Sequence, residues 1–306
     1  MDTGVRPYGE ELEYLEDVLS LLTLRLHREV LVTRGLRGDT RQESFLGLFL
    51  SDQEVDAILA ELLGTEARVP EGVGTLEGRI EAVKDRIAAR VARTGRALPP
   101  QRLAEVFGLE NAEIDLVLYL LAAELDDRFG RVYGYLHDDM GRKQLSPGLA
   151  YRLMEGGPDS LAACRGLLHP SSPLVRERVV VFTDPEGAGR TPLMERPMRI
   201  EDRVADFLLG RDHLDPALVG LMERWDGERE DAYTAGVSTV CQALGRGEGT
   251  VALSLHRDAD ADLWVGTLAS MMDRTVLSLD WRRLVTLDRA RFRAVVDRAV
   301  REARLQ

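Results

Sequence analysis

Lysine is the scarcest reactive group in the chain. Of its 40 basic residues only Lys84 and Lys143 are lysines, so a Schiff base, a lysine general base or a lysine-held phosphate has two places to occur. Lys84 lies in the helical pattern Glu-Ala-Val-Lys-Asp, and Lys143 follows Met-Gly-Arg. Asp258, Asp260 and Asp262 alternate along one polar loop and offer the hard oxygen ligands a divalent cation takes. An EF-hand counted from Asp258 needs glycine at its sixth position and glutamate at its twelfth; the chain has Leu263 and Ala269 there, so a solvated acidic loop is the preferred reading. The five histidines (His27, His137, His169, His213 and His256) show no pairing at zinc spacing, and His137 before Asp138–Asp139 reads as a polar cluster at a helix end. Cys164 and Cys241 form neither a disulfide framework nor a metal spacing. Gly236-Val-Ser-Thr-Val240 lacks the second glycine of a nucleophile elbow, and nothing marks a cleft around the paired acids Asp126–Asp127. No catalytic constellation and no metal site are expected.

The elements that would position these groups can be read from periodicity. Residues 10–34 space Leu12, Leu15, Leu19, Leu22, Leu26 and Val30 by three and four, which predicts an amphipathic helix. Ser51 with Glu54 three residues on predicts a capping box opening a second helix, whose stripe is Val55, Ile58, Leu59 and Leu62. A third helix spans 76–93, with Ile80, Val83, Ile87 and Val91 on one face. Pro99–Pro100 opens a new unit with helices over 101–107, 111–124 and 128–139, a fourth after Ser146–Pro147, and a fifth over 159–167. The period then changes. Arg178–Phe182 and Met194–Ile200 are strand-prone runs, separated by a polar, turn-rich stretch over 183–190. Helices followed by a hairpin with a long loop is the order of a winged helix-turn-helix, with its recognition helix expected near Ser146–Glu155. Residues 201–209 return to helix, and 211–246 read as a helical connector. Thr250–Leu255 reads as a strand, followed by a polar loop, a helix over 263–272, a strand over 275–279 and a helix over 288–304. That is the opening of a parallel α/β sheet. It stops after two strands, too few for a sheet covered on both faces, so the chain is expected to continue or to borrow strands, a fragment being the simpler explanation.

Arg102-Leu-Ala-Glu-Val-Phe-Gly-Leu109, the run Asp115–Arg128, Tyr133-Gly-Tyr-Leu-His-Asp-Asp-Met140 and Pro192–Gly210 resemble a family of bacterial AAA+ ATPases that carry a winged-helix region ahead of the ATPase module. Some members are encoded with phage-tail-like contractile injection systems. The resemblance covers roughly residues 100–306 and is weak before that. It implies that the strand after the connector feeds a P-loop, in which glycines let the backbone approach the phosphates, a lysine reaches the β- and γ-phosphates, and Ser or Thr holds magnesium. The corresponding stretch, Leu253–Trp264, has no glycine and no lysine. It places His256, Arg257, Asp258, Asp260 and Asp262 at the degenerate P-loop position, and three carboxylates oppose a polyphosphate. Arg274–Asp280 resembles the second strand of that module and Phe292–Gln306 the helix leading to a third.

Charge bounds the partners. The formal net charge is −12, and no third of the chain is net basic, which argues against a general phosphate-binding protein. Around the expected recognition helix only Arg142, Lys143 and Arg152 are basic, and the wing offers Arg190 beside Asp184 and Glu186. A winged helix used for protein contact is therefore preferred over one that binds DNA. No secretory leader pattern is read at the start, and no apolar run approaches the roughly 18 residues of a spanning helix, so a cytoplasmic protein without membrane contact is expected.

The expected fold is α-rich α+β: an N-terminal helical segment (1–98), a winged helix-turn-helix (99–210), a helical connector (211–248) and the first strands of an incomplete P-loop-like α/β sheet (249–306). The expected function is non-catalytic recognition or regulation at the N-terminal side of an AAA+ ATPase-like protein, contacting a protein partner or further AAA+ modules. No cofactor is expected for this chain, although active relatives use ATP and magnesium, and the resemblance implies a homo-oligomer, a hexamer. Two alternatives stay open: a winged-helix DNA-binding regulator, and a truncated piece of an active ATPase whose nucleotide site lies beyond residue 306.

Overall fold

The computed structural model describes residues 6–37, 50–64, 72–154, 161–183, 191–225, 233–245 and 260–306. The chain divides into two compact units, Met1–His213 and Leu214–Gln306.

The first unit is built around helices. Glu11–Arg37 (α1) runs antiparallel to Val73–Arg93 (α3). Leu24, Leu76 and Ile80 form the apolar seam. The N-terminal end of the pair is tied by Arg90 to Glu13 and Asp17 at 2.5 and 2.9 Å, and by Arg86 to Asp17 at 2.9 Å. Asp52–Leu62 (α2) begins as predicted: the Glu54 N–H donates to Ser51 Oγ at 3.2 Å, the Ser51 N–H donates to Glu54 Oε2 at 2.8 Å, and Val55, Ile58 and Leu59 are buried. Pro99–Phe107 (α4) starts on its proline pair and stops at Gly108, whose φ of 65° is the left-handed conformation glycine adopts without strain. Asn111–Leu125 (α5) is buried continuously from Leu116 to Ala122 and forms the centre of the unit. Asp127–His137 (α6) follows at once, capped by the Asp126 carboxylate.

The amphipathic reading of α1 holds only at its ends. From Leu22 to Val30 every residue except Arg28 is buried, the polar Thr23, Arg25, His27 and Glu29 included, whereas Leu12 is exposed. Helices pack on it from several sides, α2, α3, α5 and α6 among them. Polar residues off the leucine stripe looked solvent-facing in sequence; here Thr23, Arg25 and Glu29 are enclosed with specific partners, whereas His27 is enclosed with neither ring nitrogen hydrogen-bonded among the described residues. Arg25 reaches Asp115 at 3.4 Å and the hydroxyl of Tyr119, and Arg34 binds Asp56 at 2.8 Å and Tyr135 at 3.1 Å.

The second unit contains Met222–Arg224 (β3), Thr234–Gly245 (α11), Ala261–Met272 (α12), Leu277–Leu279 (β4), Trp281–Leu284 (α13) and Arg289–Leu305 (α14). The stretch read as a helical connector therefore holds a strand. β3 pairs antiparallel with β4, Met222 opposite Leu279 and Arg224 opposite Leu277. Long-range pairing decides this conformation: Met222 joins Leu218, Leu284, Val295 and Ala299 in one apolar cluster with Leu277 and Leu279 packed against it, a driving force that a three-residue window does not display. The strand expected over 275–279 is present, but its described partner is this antiparallel one, and a P-loop-like parallel sheet is not found among the described residues. The strand expected over 250–255 lies outside them. Helices α12 and α14 match the predicted spans to within a few residues.

Candidate functional site

Between α6 and Gly210 the described residues of the first unit carry short helices and an antiparallel strand pair. Leu145 bridges Met198 antiparallel, with the Met198 N–H donating to the Leu145 carbonyl at 2.9 Å. Pro147–Leu153 (α7), Leu161–Leu167 (α8) and the short Pro173–Arg176 (α9) follow, then Val180–Phe182 (β1), which pairs antiparallel with Met198–Ile200 (β2). β2 thus lies between Leu145 and β1. Asp202–Leu208 (α10) leaves the hairpin, starting on the Glu201 side chain.

The start of α7 is set by a hydrogen-bond relay. The Leu149 N–H donates to Ser146 Oγ at 3.3 Å, while Ser146 Oγ and His137 Nε2 are 2.9 Å apart and His137 Nδ1 is 3.1 Å from the Arg142 carbonyl. A carbonyl can only accept, so Nδ1 carries the proton, and Nε2 accepts from the serine hydroxyl. Burial holds the His137 imidazole below the usual histidine range. This is the polar cluster at a helix end read from the sequence. At the other side of α7, Gly148 packs against the Met194 carbonyl so closely that a Cβ would stand 2.9 Å from it.

Chain order gives α7 the first place in the helix-turn-helix and α8 the second, the one that enters the groove in DNA-binding members of this architecture. On this order the helix expected to recognise, near Ser146–Glu155, takes the first place rather than the second. Its basic side chain makes internal contacts. Arg152 meets Glu29 of α1 at 3.3 Å and donates to the Leu136 carbonyl at 3.4 Å. Arg142 donates to the Glu195 carbonyl at 2.7 Å and fastens the segment before α7 to the hairpin. Lys143 is exposed. Arg190 lies outside the described residues, so three of the four basic candidates are placed and two of those three serve internal contacts.

At the degenerate P-loop position, His256, Arg257 and Asp258 lie outside the described residues. Asp260 caps α12, accepting from the Asp262 and Leu263 N–H groups at 3.0 and 3.2 Å. Asp262 is exposed in the first helical turn, where a negative charge is favourable. Among the described residues no group of three His, Cys, Asp or Glu side chains could hold a metal ion. Cys164 is buried, and burial pushes its thiol up, which disfavours the reactive thiolate.

The segment that spans α8 and both hairpin strands carries a charge feature that sequence reasoning missed. Residues 161–200 hold six arginines against four acidic residues, a local excess of positive charge in a chain of net charge −12. Averaging over a third of the chain concealed it, and a shorter window reveals it. The exposed face of α8 itself shows Leu161, Ala162, Ala163 and Gly166, with Arg165 its one charge. Behind the C-terminal end of α8, Arg165, Leu168, His169, Val175, Phe182, Leu193 and Arg196 line an open cleft of about 430 Å³. The Arg196 guanidinium stacks 4.2 Å over the Phe182 ring.

A family model described as "Winged helix domain, variant" matches residues 1–222. No curated protein and no solved structure matches the chain.

Proposed function

The chain belongs to the winged helix domain, variant, family, and from that premise we propose that it is a non-catalytic recognition module whose winged helix engages a protein partner. The carrying observation is the exposed face of α8, which offers small and apolar groups with a single arginine. DNA-reading helices instead present several hydrogen-bonding and cationic side chains to bases and phosphates. The internal engagement of Arg142 and Arg152 supports the same reading.

The finer proposal follows the resemblance to AAA+ ATPases, including those encoded with contractile injection systems. In this reading the segment from residue 249 onward is a degenerate module start, and hydrolysis is supplied by other modules or subunits, in a hexamer if the likeness extends to assembly. The residues do not fit a nucleotide site: the position has no lysine and no glycine, and the Asp260 carboxylate is held by backbone N–H groups at the start of α12. Millimolar ATP with magnesium is expected to leave thermal unfolding of the chain unchanged. A rise in Tm of several degrees would overturn the assignment, since a ligand that binds the native state stabilises it by mass action.

One observation favours the second reading, a DNA-binding regulator: the arginine excess over residues 161–200. Anisotropy of labelled 25-base-pair duplexes of random sequence decides between the two. No association at low salt is expected. Association whose log Kd depends steeply on log salt, weakened by Arg165→Ala, would establish the DNA reading instead.

A further inference from the structure

We propose that the cleft between the end of α8 and the hairpin binds an extended acidic peptide segment that inserts a large apolar side chain. This deepens the reading of the winged helix as a protein-binding module and rests on it. The floor and walls are apolar: Leu168 is 3 % exposed, and Val175, Phe182 and Leu193 are half-buried around it. A cleft of this size falls within the range of about 300–1,000 Å³ typical of sites that take compact ligand groups.

The rim is cationic. Arg165 is exposed and makes no ion pair among the described residues. The Arg196 guanidinium carbon lies 4.2 Å from the Phe182 ring centroid, which places a second positive charge at the wall of the cleft. His169 completes the rim. Its Nδ1 accepts from the Ser171 N–H at 3.2 Å and lies 2.6 Å from the Ser171 hydroxyl, which leaves the ring proton on Nε2 as a donor.

Charge complementarity selects the occupant. Three donor-bearing side chains around an apolar floor suit carboxylates flanking an aromatic or aliphatic anchor. Duplex DNA shares the anionic character but offers no apolar group to fill a concave floor, and its backbone is read by protruding elements.

The test is selection of a phage-displayed random dodecapeptide library on the immobilised full chain, followed by anisotropy with the enriched peptides. Aspartate or glutamate on both sides of Leu, Phe or Trp is the expected consensus. Binding should weaken about tenfold or more in Arg165→Glu and in Arg196→Glu. Arg165→Glu is the safer variant for folding, because no described partner is lost, and circular dichroism of both variants should match the parent. Enrichment without acidic residues, no enrichment, or binding insensitive to Arg165→Glu would each overturn the proposal. Labelled duplex serves as competitor in the same assay. If duplex displaces the peptides or binds in their place, the protein-partner reading itself fails; if neither duplex nor peptide binds, only the cleft assignment fails.

Discussion

Nη2 of Arg301 stands 2.5 Å from Oδ2 of Asp215, joining residues 86 positions apart, with Arg301 fully enclosed and Asp215 4 % exposed. The same aspartate accepts the Ala217 N–H at 2.8 Å and lies 3.6 Å from Nε of Arg298, while its own N–H donates to Glu302 at 3.2 Å. One carboxylate therefore anchors the C-terminal helix of the second unit to the segment that precedes β3.

Asp215→Ala should destabilise the second unit by about 3–5 kcal/mol, because it removes a carboxylate partner from a fully enclosed guanidinium. Urea unfolding followed by the fluorescence of Trp264 and Trp281 measures this directly. A loss below about 1 kcal/mol would show that water reaches Arg301 in the folded protein.

His27 supplies a pH dependence. It is fully buried on α1, neither ring nitrogen has a hydrogen-bond partner among the described residues, and burial lowers its affinity for a proton. Its folded value lies below the usual 6.5, so its contribution to stability is complete above pH 6.5 and is lost as the pH falls through the lowered value. His137 acts in the same direction, whereas burial raises Glu29 and Glu113 and opposes it. Comparison with His27→Leu isolates the term. The variant should be more stable by about 1 kcal/mol at pH 7, and its advantage should widen towards pH 5 by up to about 1.4 kcal/mol per pH unit. Parallel stability curves would refute the assignment.

Two glycines should respond with opposite signs. In Gly148→Ala the new methyl meets the Met194 carbonyl at 2.9 Å, and the junction of α7 with the hairpin must shift, at about 1–3 kcal/mol. Gly78 lies on the exposed side of α3 with nothing within 4 Å of its would-be Cβ. Gly78→Ala should therefore stabilise by about 0.5–1 kcal/mol through helix propensity alone. Thermal melts of the two variants decide it.

Arg152 separates support from recognition. Its partner Glu29 is 9 % exposed, so Arg152→Ala leaves a largely enclosed carboxylate with less compensation and should cost about 1–3 kcal/mol. Binding of cleft peptides should be unchanged at temperatures where the variant is folded. Weakened binding with unchanged stability would make Arg152 a contact residue after all.

Local signals carried most of the first unit. Ser51 with Glu54, Pro99–Pro100, and Ser146 with Pro147 each start a helix through atoms within three residues, so the sequence displays them directly. The hairpin was visible as a change of period after Arg178. What was hidden depends on distant partners. The strand at Met222–Arg224 exists because Leu277–Leu279 lies beside it, and the interior position of Arg25 and Glu29 depends on Tyr119, Asp115 and Arg152. The cleft was harder still, since Leu168, Phe182, Leu193 and Arg196 meet only once β1 and β2 have paired. Its arginines were countable in advance, but their convergence was not.

The enclosure of α1 bears on how this fold can be dismantled or inherited. A winged helix is often thought of as a portable cassette, and Pro99–Pro100 looks like the place to cut one out. Severed there, α5, α6 and α7 would lose the helix that receives Asp115, Tyr119 and Arg152, and would bare apolar surface along their length. The smallest transplantable piece is therefore the whole unit from the start of α1 to the end of α10, and insertions or fusions should be tolerated at its borders but not between its helical arm and its wing.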